Sequence, residues 1–210
     1  MVLLIVLIAK RKWLTNMVEV IGLTGGIATG KSTVSSYLAS QGYEIIDADK
    51  ITHQVQAKGS TGLAAITAFF GKDILNDNGE LNRKKLGAIV FSDSQKLTAL
   101  TRIIDPYIRN EVNNRINNAK GDVIILDAPT LFENGYHFMC DKIVTVACNI
   151  DEQIKRVMNR DGLDKKAALQ RINSQWSLDI KKKLSDETVD SSGSIMQTRA
   201  QVVKLFNNKD

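Results

Sequence analysis

At 210 residues and 43% hydrophobic content the chain has the length and composition of a soluble globular protein of one or two domains, with material for a substantial core. A net charge of +5 would suit a nucleic-acid partner, but Lys10, Arg11 and Lys12 supply three of those charges, and the +2 left elsewhere is too little to support one. Cys140, Cys148, His53 and His137 show no metal-ligand or redox spacing, so a disulfide framework and a zinc site are excluded and reduced thiols in a cytoplasmic protein are expected.

Residues 2–9 are all apolar and run into Lys10-Arg11-Lys12. A membrane helix needs about twenty apolar residues, and a secretory signal carries its positive charges before the apolar run. No membrane association is therefore expected, and 1–16 reads as an extension outside the fold, with Met17 as the natural start.

The apolar run 18–23 predicts a first strand, which enters Gly25-Gly26-Ile27-Ala28-Thr29-Gly30-Lys31-Ser32. That stretch satisfies G-x-x-x-x-G-K-[ST], in which glycines let successive backbone N–H groups face a triphosphate. Gly25, Gly26, Ala28, Thr29, Gly30, Lys31, Ser32 and Thr33 are thus candidates for binding ATP. Lys31 reaches the β- and γ-phosphates, and Ser32 ligates Mg²⁺. Val34, Leu38 and Gln41 continue at helical spacing, so a helix aims its positive N-terminus at the phosphates. Ala28 stands where glycine would be easiest and is expected at negative φ. Without ligand, Lys31 is expected to face solvent.

A short second strand over 43–46 ends in Asp47-Ala48-Asp49. Strand C-termini in a parallel α/β sheet border the ligand crevice, which makes Asp49 a candidate catalytic carboxylate and leaves Asp47 equally suited to capping the next helix. Residues 51–118 read as helical, with breaks at 59–62 and 76–79. Arg83 and Arg109 are candidate phosphate contacts there, although arginines on amphipathic helices are more often solvated.

The run 123–127 has the pattern of a buried parallel strand delivering Asp127 to a metal site, the Walker-B position for Mg²⁺. Glu133 follows as a ligand of the metal's water shell or as a loop anchor. A strand over 143–146 leads to a helix over 150–159, where Arg156 and Arg160 share a face. Guanidinium groups so placed can close over a transferring phosphoryl group. A last strand at 188–189 and a helix over 195–206 complete the chain. Asp190-Ser191-Ser192-Gly193 matches D-x-x-G of GTPases, but no N-K-x-D accompanies it.

From Val18 to Gly193 the chain resembles the dephospho-CoA kinases. The likeness rests on Leu23-Thr24-Gly25-Gly26-Ile27, Ile46-Asp47-Ala48-Asp49, Gly79-x-Leu81-Asn82-Arg83 and Leu126-Asp127-x-Pro129-x-Leu131-Phe132-Glu133. Gln153, Arg156, Arg160, Arg171 and Gln175 continue it. It implies an α/β P-loop NTPase fold: a five-stranded parallel sheet flanked by helices, with a helical substrate-binding insertion and a lid. The expected core is 17–50, 119–150 and 185–210, the helical region 51–118 and the lid 151–184. It also implies ATP and Mg²⁺, with transfer of the γ-phosphoryl group to the ribose 3′-hydroxyl of dephospho-CoA.

Asp49 then serves as the base, since a sugar hydroxyl gains from a carboxylate that accepts its proton. Lys31, Arg156 and Arg160 assist transfer; Asp49, Arg83, Pro106, Arg109 and Glu133 meet the acceptor; Ser32 and Asp127 hold the metal. Three positions depart from the family: its His-Pro pair reads Asp105-Pro106, Thr130 interrupts Pro-Leu-Leu-Phe-Glu, and Ser191 stands near an expected Asn. A kinase for another nucleoside or nucleotide, and a nucleotide-binding regulator without turnover, are the alternatives. The expected partners are small molecules, with no nucleic acid, and the expected state is a monomer or small homo-oligomer.

Overall fold

The computed structural model describes residues 18–207, and the extension expected over 1–16 lies outside the described residues. Five strands are present: β1 (Glu19–Gly25), β2 (Glu44–Asp47), β3 (Val123–Asp127), β4 (Lys142–Ala147) and β5 (Glu187–Asp190). They form one parallel sheet in the order β2-β3-β1-β4-β5. In β1, β3 and β4 almost every residue is buried, as expected where both faces of a parallel sheet are covered. The register sets Leu23 opposite Asp127 and Gly25 opposite Val146, so the stretch after β1 emerges beside the carboxylate that ends β3.

By their contacts the described residues divide into two compact units, one of residues 18–46 with 119–207 and one of 47–118. In the first, α1 (Lys31–Ser40) and α9 (Ile195–Asn207) contribute Val34, Leu38, Val202 and Phe206 to a core with Ile21, Leu23, Ile125, Val144, Val146 and Val189. Phe206 and Tyr43 meet in a T-shaped pair, with ring centroids 5.4 Å apart. The helices α6 (Ile150–Asp161), α7 (Lys165–Ile172) and α8 (Leu178–Leu184) also belong to this unit. Ile154, Val157 and Ala168 form a smaller core there, against which Ile27 and Ala28 pack.

The second unit holds α2 (Ala48–Val55), α3 (Thr61–Phe70), α4 (Arg83–Phe91) and α5 (Ser94–Asn117). Its core is Leu63, Ile66, Ile74, Leu81, Leu86 and Val90. The Gly79-x-Leu81-Asn82-Arg83 stretch has a local structural meaning. Leu81 pairs as an antiparallel bridge with Leu75 across a turn. Asn82 donates to Asn76 Oδ1 at 2.8 Å and caps α4 by accepting from the Lys85 N–H at 2.9 Å. Two breaks are additional to those read from the sequence. Gly71 at φ 86° ends α3, and the Asp93 carboxylate caps α5 by accepting from the Gln95 and Lys96 N–H groups.

Candidate functional site

The stretch after β1 closes on itself before α1 begins. Thr29 donates to the Gly26 carbonyl at 2.9 Å, and the N–H groups of Thr33 and Val34 reach Gly30 O at 3.0 and 3.2 Å. Gly30 is the N-cap of α1 at φ 83°, a left-handed conformation that suits glycine, and no side chain caps the helix. Its first turn is thereby left to an anion. A Cβ on Gly25 would lie 2.6 Å from the Val146 carbonyl and 2.7 Å from Thr29 Oγ1, so no larger residue fits.

Two expectations about this stretch are corrected. Ala28 sits at φ 58°, not at negative φ, because the curl of the loop requires a left-handed residue there, and its methyl packs beside the Ile154 cluster. Lys31 does not face solvent: its ammonium is ion-paired with Asp127 Oδ1, and the two side chains are 18% and 7% exposed. The cause is the β1–β3 register, which brings an otherwise isolated buried carboxylate within reach of the first residue of α1.

The back of the loop is held by residues far away in sequence. Ile27 is gripped at both ends of its peptide: its N–H donates to Gln175 Oε1 at 3.0 Å, and its carbonyl accepts from Gln153 Nε2 at 2.9 Å. Ser191 Oγ lies 2.6 Å from the Thr29 carbonyl and 3.1 Å from the Ala147 carbonyl. Arg156 braces Ser191, donating to its carbonyl at 2.7 Å and to its hydroxyl at 3.3 Å, while its Nε donates to Glu152 at 2.8 Å. Beside Gly26 opens a cleft of about 620 Å³, lined among others by Asn149, Gln153, Gln175, Trp176 and Leu178. The Trp176 ring lies parallel to Phe132 at 6.5 Å between centroids.

Lys31, Ser32, Asp127 and Arg156 therefore belong to one unit with the loop. Arg160 takes a different partner from Arg156. It is bidentate to Asp161 at 2.8 and 3.0 Å, Arg171 joins the same carboxylate at 3.2 Å, and hydrogen bonding from Arg160 holds the Asp161 carboxyl below its ordinary range. Glu133 Oε1 accepts from Lys181 at 2.9 Å and from the Trp176 N–H at 3.1 Å, while its buried Oε2 has no hydrogen-bond partner.

Asp49, Arg83, Pro106 and Arg109 lie in the 47–118 unit. Asp47 caps α2, accepting from the Lys50 N–H at 2.9 Å, and Asp49 is exposed in the first turn of that helix. Arg83 is exposed at the start of α4. Pro106 lies within α5, and Arg109 donates to Asp105 Oδ2 at 2.6 Å. Asp105 is thus the ion-pair partner of an arginine one helical turn on.

Magnesium prefers hard oxygen donors, usually one or two carboxylates completed by substrate phosphates and water. Asp127, whose ion pair engages one carboxylate oxygen, and the exposed Ser32 on the first turn of α1 fit that description. Among the described residues no group of three or more His, Cys, Asp or Glu could hold a metal, so a metal there would need ligands from a nucleotide.

Two buried participants carry no motif signal of their own: Lys181 and Ser191. Lys181 is hidden in a lysine run, and Ser191 in a stretch that resembles a GTPase signature.

The dephospho-CoA kinase family profile matches residues 19–197. A Listeria innocua protein named dephospho-CoA kinase is 42% identical over 200 residues, 92% of this chain and 100% of its own length. One from Carboxydothermus hydrogenoformans is 41% identical, covering 90% and 94%. Among solved structures, one from Thermus thermophilus superposes with a TM-score of 0.81 at 27% identity over 92% of this chain and 99% of its own. The dephospho-CoA kinase from Campylobacter jejuni gives 0.69 at 29% identity, over 91% and 96%. With the phosphate-loop geometry and these matches along nearly its whole described length, the chain belongs to the dephospho-CoA kinase family.

Proposed function

We propose that the protein transfers the γ-phosphoryl group of ATP to the ribose 3′-hydroxyl of dephospho-CoA, giving coenzyme A and ADP. The observation that carries this reading is the Lys31–Asp127 ion pair at the mouth of the glycine loop, beside an uncapped helix N-terminus. Lys31 exchanges its carboxylate partner for β- and γ-phosphate oxygens when ATP enters. The N–H groups of the loop and of the first turn of α1 receive the phosphates, and the cleft bordered by Gly26 and Trp176 receives the base.

Ser32 and Asp127 hold Mg²⁺, which supplies neutralisation of charge on the phosphate oxygens. Asp49 accepts the proton of the attacking hydroxyl, the role a positioned carboxylate can fill toward a sugar hydroxyl. Arg156, and Arg160 after leaving Asp161, face the charge of the moving group. Arg83, Arg109 and Pro106 meet the acceptor, whose phosphates give arginines a natural partner. For Glu133 the bonds to Lys181 and Trp176 favour the anchoring role over direct substrate contact.

A cytoplasmic monomer or small homo-oligomer working on small molecules, without nucleic acid, accords with the modest net charge. Among the described residues no helix is long and apolar enough to cross a membrane.

The test is an ADP-release assay with ATP and Mg²⁺, offering dephospho-CoA, AMP, adenosine or no acceptor. Release that depends on dephospho-CoA is expected. Release with another acceptor moves the substrate, and ATP binding without release makes the protein a regulator.

A further inference from the structure

Helix α8 is turned the wrong way for its composition. Ile180 and Leu184 are 47% and 53% exposed, while Lys181 is fully buried. Its flanking lysines, Lys182 and Lys183, are exposed. Burying an ammonium is costly unless all its donors are used, and here all three are. Lys181 Nζ donates to the Pro129 carbonyl at 2.6 Å, to Glu133 Oε1 at 2.9 Å and to the Gly25 carbonyl at 3.3 Å.

The identity of these acceptors matters. Gly25 is the last residue of β1 and opens the phosphate loop; Pro129 lies two residues past Asp127 at the exit of β3. Thr24 adds a hydroxyl bond to the same Pro129 carbonyl at 3.2 Å. Burial lowers the Lys181 pKa, the Glu133 carboxylate opposes this, and the charge of Lys31 adds to the lowering.

We propose that Lys181 is a positioning residue for phosphoryl transfer, acting through the Gly25 and Pro129 carbonyls to hold the glycine loop in register with the strand that ends in Asp127. Lys31 and Asp127 then face one nucleotide at a fixed separation. Misplacement of reacting groups by about 1 Å can cost on the order of a hundredfold in rate, and this buried ammonium bridges the two strand exits beside the Thr24–Pro129 and Ala128–Leu23 hydrogen bonds. The proposal rests on the kinase reading above.

The test compares the full-length wild type with Lys181→Met and with the double variant Lys181→Met/Glu133→Leu. Methionine keeps the unbranched stem, one atom shorter, but strands the Glu133 carboxylate; the double variant removes that stranded charge. Each protein is assayed well below its own melting temperature. The readouts are thermal stability, affinity for a non-hydrolysable ATP analogue without acceptor, and kcat at saturating ATP with dephospho-CoA.

The single variant is expected to lose both stability and turnover. The double variant is expected to regain most of the melting temperature while its analogue affinity stays about tenfold weak and kcat remains about a hundredfold low. Affinity and kcat that return together with stability overturn the proposal and make Lys181 a core filler. If the wild type shows no turnover that depends on dephospho-CoA, the functional reading fails, and the analogue affinities still decide the role of Lys181.

Discussion

Replacing Ser191 by alanine removes one oxygen atom and tests how the phosphate loop is held. The serine hydroxyl has a single proton, and the 2.6 Å contact to the Thr29 carbonyl takes it in preference to the 3.1 Å contact to Ala147. Ala147 keeps the Ser191 N–H at 2.8 Å, so its carbonyl stays satisfied in the variant. Thr29 loses the Ser191 hydroxyl in a site where the two residues are 1% and 5% exposed, and one Arg156 N–H loses its acceptor. Leaving a buried carbonyl unpaired costs about 1–3 kcal/mol. In a protein of this size each kcal/mol lowers the melting temperature by about 2–4 °C, so a cost near the middle of that range gives a fall of about 4–8 °C.

Differential scanning calorimetry of Ser191→Ala beside Ser36→Ala, a serine exposed on α1, measures that fall. The KM for ATP should rise in the same variant, because Thr29 belongs to the loop that receives the phosphates. A fall of less than about 1 °C with an unchanged KM would refute the view that Ser191 braces the loop.

Four further outcomes are expected. Asp49→Asn should lower kcat by about 10²–10⁴-fold and leave ATP-analogue affinity intact, measured by rapid kinetics and calorimetry; full activity would remove Asp49 as the base. Lys31→Ala should abolish most ADP formation and, by stranding Asp127, destabilise the fold by about 2–4 kcal/mol in urea titrations. Adding Asp127→Asn should restore much of that stability but no turnover. Arg156→Ala should reduce kcat more than it weakens dephospho-CoA binding, a split visible in steady-state kinetics, and a pure binding effect would argue against contact with the transferring group. Burial, with Asp141 beside it, pushes the Cys140 thiol from 9.0 up to about 12. The folded state therefore holds this proton where the unfolded chain has lost it. The resulting contribution to stability is complete below about pH 9 and declines as the pH rises toward 12. Urea midpoints at pH 8 and 10.5 should show a smaller alkaline loss in Cys140→Ala than in wild type.

The parts of this molecule that could be read from sequence are those where local pattern and final environment coincide. Continuous apolar runs gave β1, β3 and β4 because both faces of the sheet are covered, and the glycine spacing marked the loop because its backbone geometry is local. Helix α8 broke the pattern. Periodicity would bury Ile180 and Leu184 and expose Lys181, whereas three acceptors contributed by distant segments reverse the helix. The Ala28 backbone departs from expectation for a related reason. A left-handed conformation costs about 1–2 kcal/mol for alanine, and only the packing of 150–172 against the loop shows how that cost is offset. Ser191 was visible as a departure from the family, but its bonds to Thr29 and Arg156 depend on pairing β4 with β5.

The length of those pairings bears on how the protein is made. Ribosomal synthesis releases the glycine loop early, yet Ile27 must await Gln153 and Gln175, and Thr29 must await Ser191, which lies 162 residues later. The central strand likewise has to wait for both of its neighbours. Such non-local closure slows folding, and it leaves a nascent chain without a finished phosphate cradle until Ser191 has emerged. Nucleotide should therefore stabilise the released protein but give little help to a stalled or prematurely terminated one.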